Sequence, residues 1–219
     1  ADGSVTVNHG AVDIGGLRAT EAMTFAEVLG IPYESVIPNL VDTNSIGWTS
    51  LTAGSGTGAG ISASAYLVAN QLKDRAVERA AKIWGVETAD CSYDRSRATI
   101  VGPNGEDGKP REMTFTQLAA QQAGSGGYIS GHVDNSGAQG GPTYAGNIVD
   151  VEVDEETGKV TVLRFTVVQD AGHALHRDYV EGQLQGGAAQ GIGMALTEEY
   201  YYDDAGVLRN ASLLDYRIP

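Results

Sequence analysis

The sequence predicts an α+β fold with two lobes, each of mixed β-sheet with packed helices. Three patterns support this prediction: runs of alternating apolar residues typical of strands, apolar residues repeated at helical spacing, and glycines at the ends of the helical runs. We expect residues 1–90 to form the first lobe, residues 91–141 an irregular connecting segment, and residues 142–219 the second lobe. These patterns leave the order of the strands open.

The first lobe is predicted to run strand, helix, strand, helix. Residues 4–14, SVTVNHGAVDI, alternate like a strand, and residues 19–30 form a helix that ends at Gly30. A second strand is expected in residues 34–41, ESVIPNLV. The next helix carries one apolar stripe and ends at Gly85; the stripe comprises Ala65, Val68, Ala69, Leu72, Ala76, Ala80 and Ile83.

The second lobe is predicted to open with a β-hairpin, because residues 147–170 alternate on both sides of the turn sequence DEETG. A helix from about Asp178 to Glu199 and a second hairpin, YYYDDAGVLRN, follow. In the connecting segment we expect a hairpin around GPNGEDGKP.

Composition limits the function classes. A net charge of −14 argues against a nucleic-acid or anionic-membrane surface, because both require clustered Lys and Arg. Cys91 is the single cysteine, which excludes an internal disulfide and favours a cytoplasmic protein. No apolar run is long enough for a membrane helix, and the start at ADGSV without Met indicates a cut or processed chain. Glycine is 30 of 219 residues, about twice the usual share, so ordered turns and close contacts are expected.

Two glycine-rich turns precede helices. GSGTGAG, residues 54–60, offers free N–H groups and the hydroxyls of Ser55 and Thr57 to an anion, with a flexible turn as an equally weighted alternative. It lacks the Lys of a P-loop. DIGGLRAT, residues 13–20, contains Gly15 and Gly16, and there a plain tight turn is the favoured interpretation.

A third glycine cluster lies inside a predicted helix, QGGAAQGIGMALTEEY, where glycines cost about 1 kcal/mol each relative to Ala. Gly187 and Gly191 are four residues apart and would leave a bare groove beside the amide of Gln190. The groove could receive a flat ligand or another backbone.

The four histidines give little support for a metal site. His173 and His176 are three residues apart but lack an obvious carboxylate partner, so we expect His176 to cap the following helix or to make a local hydrogen bond. Asp170 is interpreted equally as a functional residue or as an Asx turn.

The ordered series HGAVDIGG, EVLGIPYESV, DTNS, the EVD-E-TG hairpin, VEGQ…GG…QG and LLDYRIP resembles the molybdenum hydroxylase family, and the resemblance runs through nearly the whole chain. That family includes xanthine dehydrogenase, aldehyde oxidase and aerobic carbon monoxide dehydrogenase. The resemblance implies a molybdopterin-binding domain with two cofactor-binding lobes. The cofactor would be molybdopterin with molybdenum, in a mononucleotide or a cytosine dinucleotide form.

By position, the resemblance makes Gln190 the glutamine that contacts the pterin near molybdenum, with Gly187 and Gly191 beside it. Gly54, Ser55 and Thr57 match the turn that donates to the cofactor, and Gly15 and Gly16 stand in the turn after the first strand.

Several departures from the family pattern matter. Many members have Gly-Gln-Gly where this chain has Gly15, Gly16 and Leu17, and several have Arg at the position of Gly56. The active-site Cys loop of carbon monoxide dehydrogenase is absent. The family's catalytic glutamate lies in a Gly-x-Gly-Glu segment after DYRIP, which has no match here, so no residue is assigned as catalytic or as a metal ligand and we expect the chain alone to be inactive.

The resemblance implies an oxidoreductase that hydroxylates an aldehyde or N-heterocycle with water as the oxygen source. Electrons would leave through [2Fe–2S] clusters and FAD on other domains or subunits of an oligomer. The alternatives are a non-catalytic glycine-rich domain that binds a phosphorylated ligand or partner, and a structural fragment that binds no cofactor.

Overall fold

The computed structural model describes residues 2–40, 42, 44–47, 49, 51–134 and 142–219. The chain divides into two compact units, Ala1–Gly140 and Gly141–Pro219, here called unit 1 and unit 2. Both contain strands and helices, as the predicted α+β class requires. No helix in the described ranges combines the length and the apolar character that a membrane span requires.

Unit 1 begins with the predicted order of strand, helix, strand, helix. Strand β1 is Val5–His9, helix α1 is Leu17–Leu29, strand β2 is Val36–Leu40 and helix α2 is Thr57–Trp84. β1 and β2 pair in parallel, from Val5 opposite Val36 to His9 opposite Leu40. Gly30 and Gly85 end the two helices in the left-handed conformation, as predicted.

The predicted first strand is too long. The strand stops at His9, whereas the alternating pattern continues to Ile14. A side chain at Gly10 would collide with Thr49 and Ile46, so this glycine lets the chain pass close to the loop after β2. Residues 10–16 form the connection into α1 instead.

The prediction that the connecting segment is irregular is wrong for residues 92–120. They form strands β3 (Ser92–Asp94), β4 (Thr99–Asn104) and β5 (Pro110–Thr114) and helix α3 (Phe115–Ala120). The hairpin expected around GPNGEDGKP is the β4–β5 connection, and β4 is the central strand of an antiparallel sheet. Short strands with charged turns gave too weak a periodic signal to be recognised. The division into two cofactor-binding lobes joined by residues 91–141 stays a prediction.

The core of unit 1 forms where α1 and α2 pack over the strands. α2 buries most of the predicted stripe, and Val68 and Ile83 pack against it while partly exposed. The buried members of this core include Phe25 and Leu29 of α1, Ala65, Ala69, Leu72, Ala76 and Ala80 of α2, Ile100 of β4 and Leu118 of α3. The small side chains of α2 allow α1 to approach closely.

Unit 2 contains strands β6 (Ala145–Val153) and β7 (Val160–Gln169) and helix α4 (Arg177–Leu196). The two strands form the predicted antiparallel hairpin, with a register shift between Asp150 and Val151. The second predicted hairpin is reduced to one bridge between Tyr202 and Leu208, and Tyr200, Tyr201 and Tyr202 are all exposed.

Candidate functional site

The two glycine-rich turns of unit 1 lie in loops that follow the carboxyl ends of the paired parallel strands β1 and β2. His9 and Leu40 are the last residues of β1 and β2 and lie opposite each other, so the loops that follow start side by side. The backbone N–H of Val12 donates to Oγ1 of Thr52 at 3.0 Å, which joins the two loops directly. Gly15 and Gly16 lie in the first loop, and Gly54 and Ser55 lie at the end of the second.

The first turn is capped by its own carboxylate. Oδ1 of Asp13 accepts hydrogen bonds from the N–H groups of Gly15 at 2.8 Å and Leu17 at 3.0 Å, and Oδ2 accepts from Arg18 at 3.2 Å. Partial burial by itself raises the pKa of Asp13, but these three hydrogen bonds outweigh it and hold the pKa below its usual value. The N–H groups of Gly15, Leu17 and Arg18 at this helix start are therefore already occupied.

The second turn keeps its helix N-terminus available. Gly54 and Ser55 have φ of 65° and 56°, and the left-handed conformation is uncommon for serine. No side chain of a described residue accepts from the N–H groups of Thr57, Gly58 or Ala59 at the start of α2. This 28-residue helix directs a positive dipole end and free donors at the turn. The local geometry suits an anionic ligand.

The glycine helix α4 has two different faces. One half-buried stripe packs toward the hairpin; its members are Val180, Leu184, Ala188 and Ile192. A Cβ placed on Gly187 or Gly191 would meet no described atom within 4 Å, and Gln190 beside them is exposed. The surface of α4 beside Gln190 is therefore open, and its role as a ligand groove stays a prediction.

His176 caps α4, as predicted. Its Nδ1 accepts from the N–H of Tyr179 at 3.3 Å, and the two rings stack with centroids 4.0 Å apart. Asp170 accepts from the N–H of Gly172 at 3.0 Å, which is the Asx turn of the two interpretations considered. Within the described part of the chain, no three His, Cys, Asp or Glu side chains cluster as metal ligands would.

Sequence reasoning missed the side chains that shape the first turn. Asp13 carries a recognisable signal, because an Asp shortly before a helix is a common cap. Thr52 carries none, since it acts on a residue 40 positions away. His9 was considered only as a metal ligand, whereas it faces Glu21 in the interior.

Comparison with known proteins identifies the family of the chain. The family model for the molybdopterin cofactor-binding domain matches residues 1–219, the whole chain. The chain belongs to the molybdopterin cofactor-binding domain family. This confirms the predicted family and favours cofactor binding over the non-catalytic alternatives.

Individual relatives of this molybdopterin cofactor-binding domain agree with the family match. The chain is 31% identical to the putative xanthine dehydrogenase molybdenum-binding subunit of Escherichia coli, over 100% of the chain and 29% of that protein. It is 29% identical to the nicotine 6-hydroxylase large subunit of Paenarthrobacter nicotinovorans, over 99% of the chain and 27% of that protein. The chain thus spans less than a third of the length of these relatives.

Solved structures confirm the molybdopterin-binding type of fold. Quinoline 2-oxidoreductase from Pseudomonas putida 86 matches with a TM-score of 0.81 and 27% identity, over 100% of this chain and 28% of that one. Reconstituted CO dehydrogenase from Oligotropha carboxidovorans matches with a TM-score of 0.83 and 22% identity, over 99% of this chain and 27% of that one. The second likeness supports the fold alone.

Proposed function

We propose that this domain holds molybdopterin in a molybdenum hydroxylase that oxidises an aldehyde or an N-heterocycle with water as the oxygen source. The observation that carries the proposal is the contrast between two helix N-termini at one sheet edge. Asp13 closes the first, whereas the N-terminus of α2 is open behind Gly54 and Ser55. An anionic cofactor is the chemical partner that the open terminus favours.

The residues present fit such a cofactor. With a net charge of −14 the protein cannot rely on a cluster of Lys and Arg to hold a phosphate, so backbone N–H groups and hydroxyls take that part. We assign Gly54, Ser55 and Thr57 to donate to it. Gly15 and Gly16, whose neighbouring donors are occupied, would offer close contact rather than hydrogen bonds.

On α4, Gly187 and Gly191 would let the flat cofactor approach the helix, and the Gln190 amide would donate or accept at its polar edge. When bound, the cofactor supplies a two-electron oxidation of the substrate with oxygen from water. This chain's own contribution is to hold and orient it.

The remaining features of the whole protein follow the same proposal. We expect [2Fe–2S] and FAD domains or subunits, an oligomeric enzyme, a small-molecule substrate and a cytoplasmic location without nucleic-acid or membrane partners. The printed names of two relatives, a large subunit and a molybdenum-binding subunit, support partner subunits. The cofactor would carry either the mononucleotide or the cytosine dinucleotide form.

The test is the cofactor content of the full-length protein purified from its native host. Replacing Ser55 and Thr57 together by Ala should lower molybdenum and pterin per protomer, because each lost hydrogen bond to a charged group weakens binding by about tenfold or more. Ser62→Ala is the matched control, since the Ser62 hydroxyl donates to the carbonyl of Gly58 within α2 at 2.7 Å. Equal cofactor content in the double variant and the control would refute the assignment.

A further inference from the structure

A buried polar pair lies beneath the first glycine turn. His9 ends β1 and Glu21 lies on α1, with only 9% and 2% of their surfaces exposed. Nε2 of His9 and Oε2 of Glu21 are 3.2 Å apart, within ion-pair distance but outside good hydrogen-bond alignment. Neither atom has another hydrogen-bond partner among the described residues. Each therefore depends on the other for its polar contact.

The second ring nitrogen of His9 holds the turn. Nδ1 accepts from the N–H of Ala11 at 3.2 Å, and Ala11 is itself 3% exposed. Because Nδ1 is an acceptor, the neutral ring carries its proton on Nε2, the nitrogen that faces Glu21. One imidazole thus connects the strand end, the turn and the helix.

Three contacts fix the chain on both sides of Gly15 and Gly16. Before the turn, His9 accepts from the N–H of Ala11. After it, Asp13 accepts from the N–H of Leu17, and Glu21 on the same helix lies against His9. Both flanks of the glycine turn are fixed at buried positions. The turn itself has no side chains with which to fix its own conformation.

Folding alone does not require this pair. Glu21 stands in the middle of the buried stripe of α1, whose other members at four-residue spacing are Leu17, Phe25 and Leu29. An apolar residue at that position would continue the stripe, and apolar replacement of both members of a buried polar pair is often neutral or stabilising. The pair therefore has its role in the turn above it.

We propose that His9 and Glu21 form a positioning pair that holds the Asp13–Gly16 turn in the shape that receives the molybdopterin cofactor. The inference rests on the proposed function, because it assigns the turn to the cofactor surface. The pair acts through the turn and does not itself contact the ligand.

The test uses three variants of the full-length protein. The double variant His9→Leu with Glu21→Met removes both polar groups and fills their space with apolar side chains. Glu21→Gln keeps a carbonyl acceptor opposite Nε2 of His9 and should retain the turn. Glu27→Met is the control, because Glu27 lies on the same helix with its side chain 73% exposed. Molybdenum and pterin content, thermal stability and amide hydrogen exchange of residues 11–18 are measured for each.

We expect the double variant to melt no lower than wild type while the amides of Ala11, Gly15 and Leu17 exchange about tenfold faster and cofactor content falls. Glu21→Gln and Glu27→Met should retain cofactor and slow exchange. Unchanged exchange and full cofactor in the double variant would overturn the inference, as would a loss in Glu21→Gln equal to that in the double variant. If the wild type contains no molybdopterin, the proposed function fails, and the exchange rates still decide whether the pair holds the turn.

Discussion

Asp13 is the side chain that determines the electrostatics of the first glycine turn. A carboxylate that accepts from three backbone N–H groups supplies, from within the chain, the negative charge that a helix N-terminus favours. Ser55 lies two residues before the start of α2 and supplies no charge, while adopting a strained left-handed φ of 56°. These two residues distinguish the turns. In the first turn a carboxylate of the protein accepts from backbone N–H groups, and in the second no described side chain does so, which leaves the N–H groups to a ligand.

The first prediction concerns Asp13 and pH. Its pKa is lowered in the folded protein, so its contribution to the turn is present above the ordinary value of 3.8 and is lost as the pH falls through the lower folded value. Asp13→Asn should weaken the turn by about 0.5–1 kcal/mol at pH 7, because the amide carries no charge at the helix N-terminus and has one acceptor oxygen where the carboxylate has two. The difference from wild type should shrink below pH 3.8 as the wild-type carboxylate takes up its proton.

Amide exchange of Gly15, Leu17 and Arg18, corrected for the intrinsic effect of pH, measures this difference. Asp74→Asn, at an exposed position on α2, is the control and should leave these amides unchanged. A difference between wild type and Asp13→Asn that stays constant from pH 7 to acid pH would show that the charge is not what holds the turn.

Helix α4 contains several glycines, which lower its intrinsic helical stability. Its glycines weaken the helix, yet at Gly187 and Gly191 no described neighbour would touch an added Cβ. Gly193 differs, because a Cβ there would collide with the Glu198 carboxyl and lie 3.1 Å from Pro219 Cδ. Of these three glycines, only Gly193 has close neighbours within unit 2, whereas no described neighbour accounts for Gly187 and Gly191.

The second prediction separates these kinds of glycine. Gly187→Ala and Gly191→Ala should each stabilise α4 by about 0.5–1 kcal/mol and yet lower molybdopterin content in the full-length protein. Gly182→Ala, two turns before Gln190, has equally open surroundings and should stabilise without loss of cofactor. Gly193→Ala should stabilise less than the other three changes, because Glu198 and Pro219 must shift to accept the methyl group. Full cofactor content in the Gly187 and Gly191 variants would remove the reason for assigning them to the cofactor.

The elements that sequence predicted well are those with a long periodic signal. The stripe of α2, the β6–β7 hairpin and the glycine ends of α1 and α2 were all recognisable, because local spacing alone defines them. The sequence did not reveal that β1 ends at His9 or that residues 92–114 form a three-stranded sheet, because both features depend on contacts between distant parts of the chain. The candidate glycines could be identified in the same way, whereas the Val12–Thr52 bond and the His9–Glu21 pair required the fold.

The molecule as a whole buries its apolar residues unevenly. In the described part of the chain all buried hydrophobic residues lie in unit 1, and in residues 142–219 only Gly193 is buried. The exposed side chains of the β6–β7 hairpin include Ile148, Leu163 and Val168, with 63%, 62% and 64% of their surfaces exposed. Among the described residues, only those of unit 1 close a core around their apolar side chains. The relatives are more than three times as long as this chain, which is consistent with further polypeptide covering unit 2.

The last prediction is that the two units differ in their ability to fold alone. Residues 1–140 have a helix-covered core and should unfold cooperatively when expressed by themselves, whereas a two-stranded hairpin with one helix and no apolar core is marginal at best in water. Far-UV circular dichroism during thermal unfolding measures both, with the complete 219-residue chain as the reference. Residues 141–219 should show no sharp transition, and the complete chain should show one transition that matches that of residues 1–140. A cooperative transition in residues 141–219 alone would contradict this prediction.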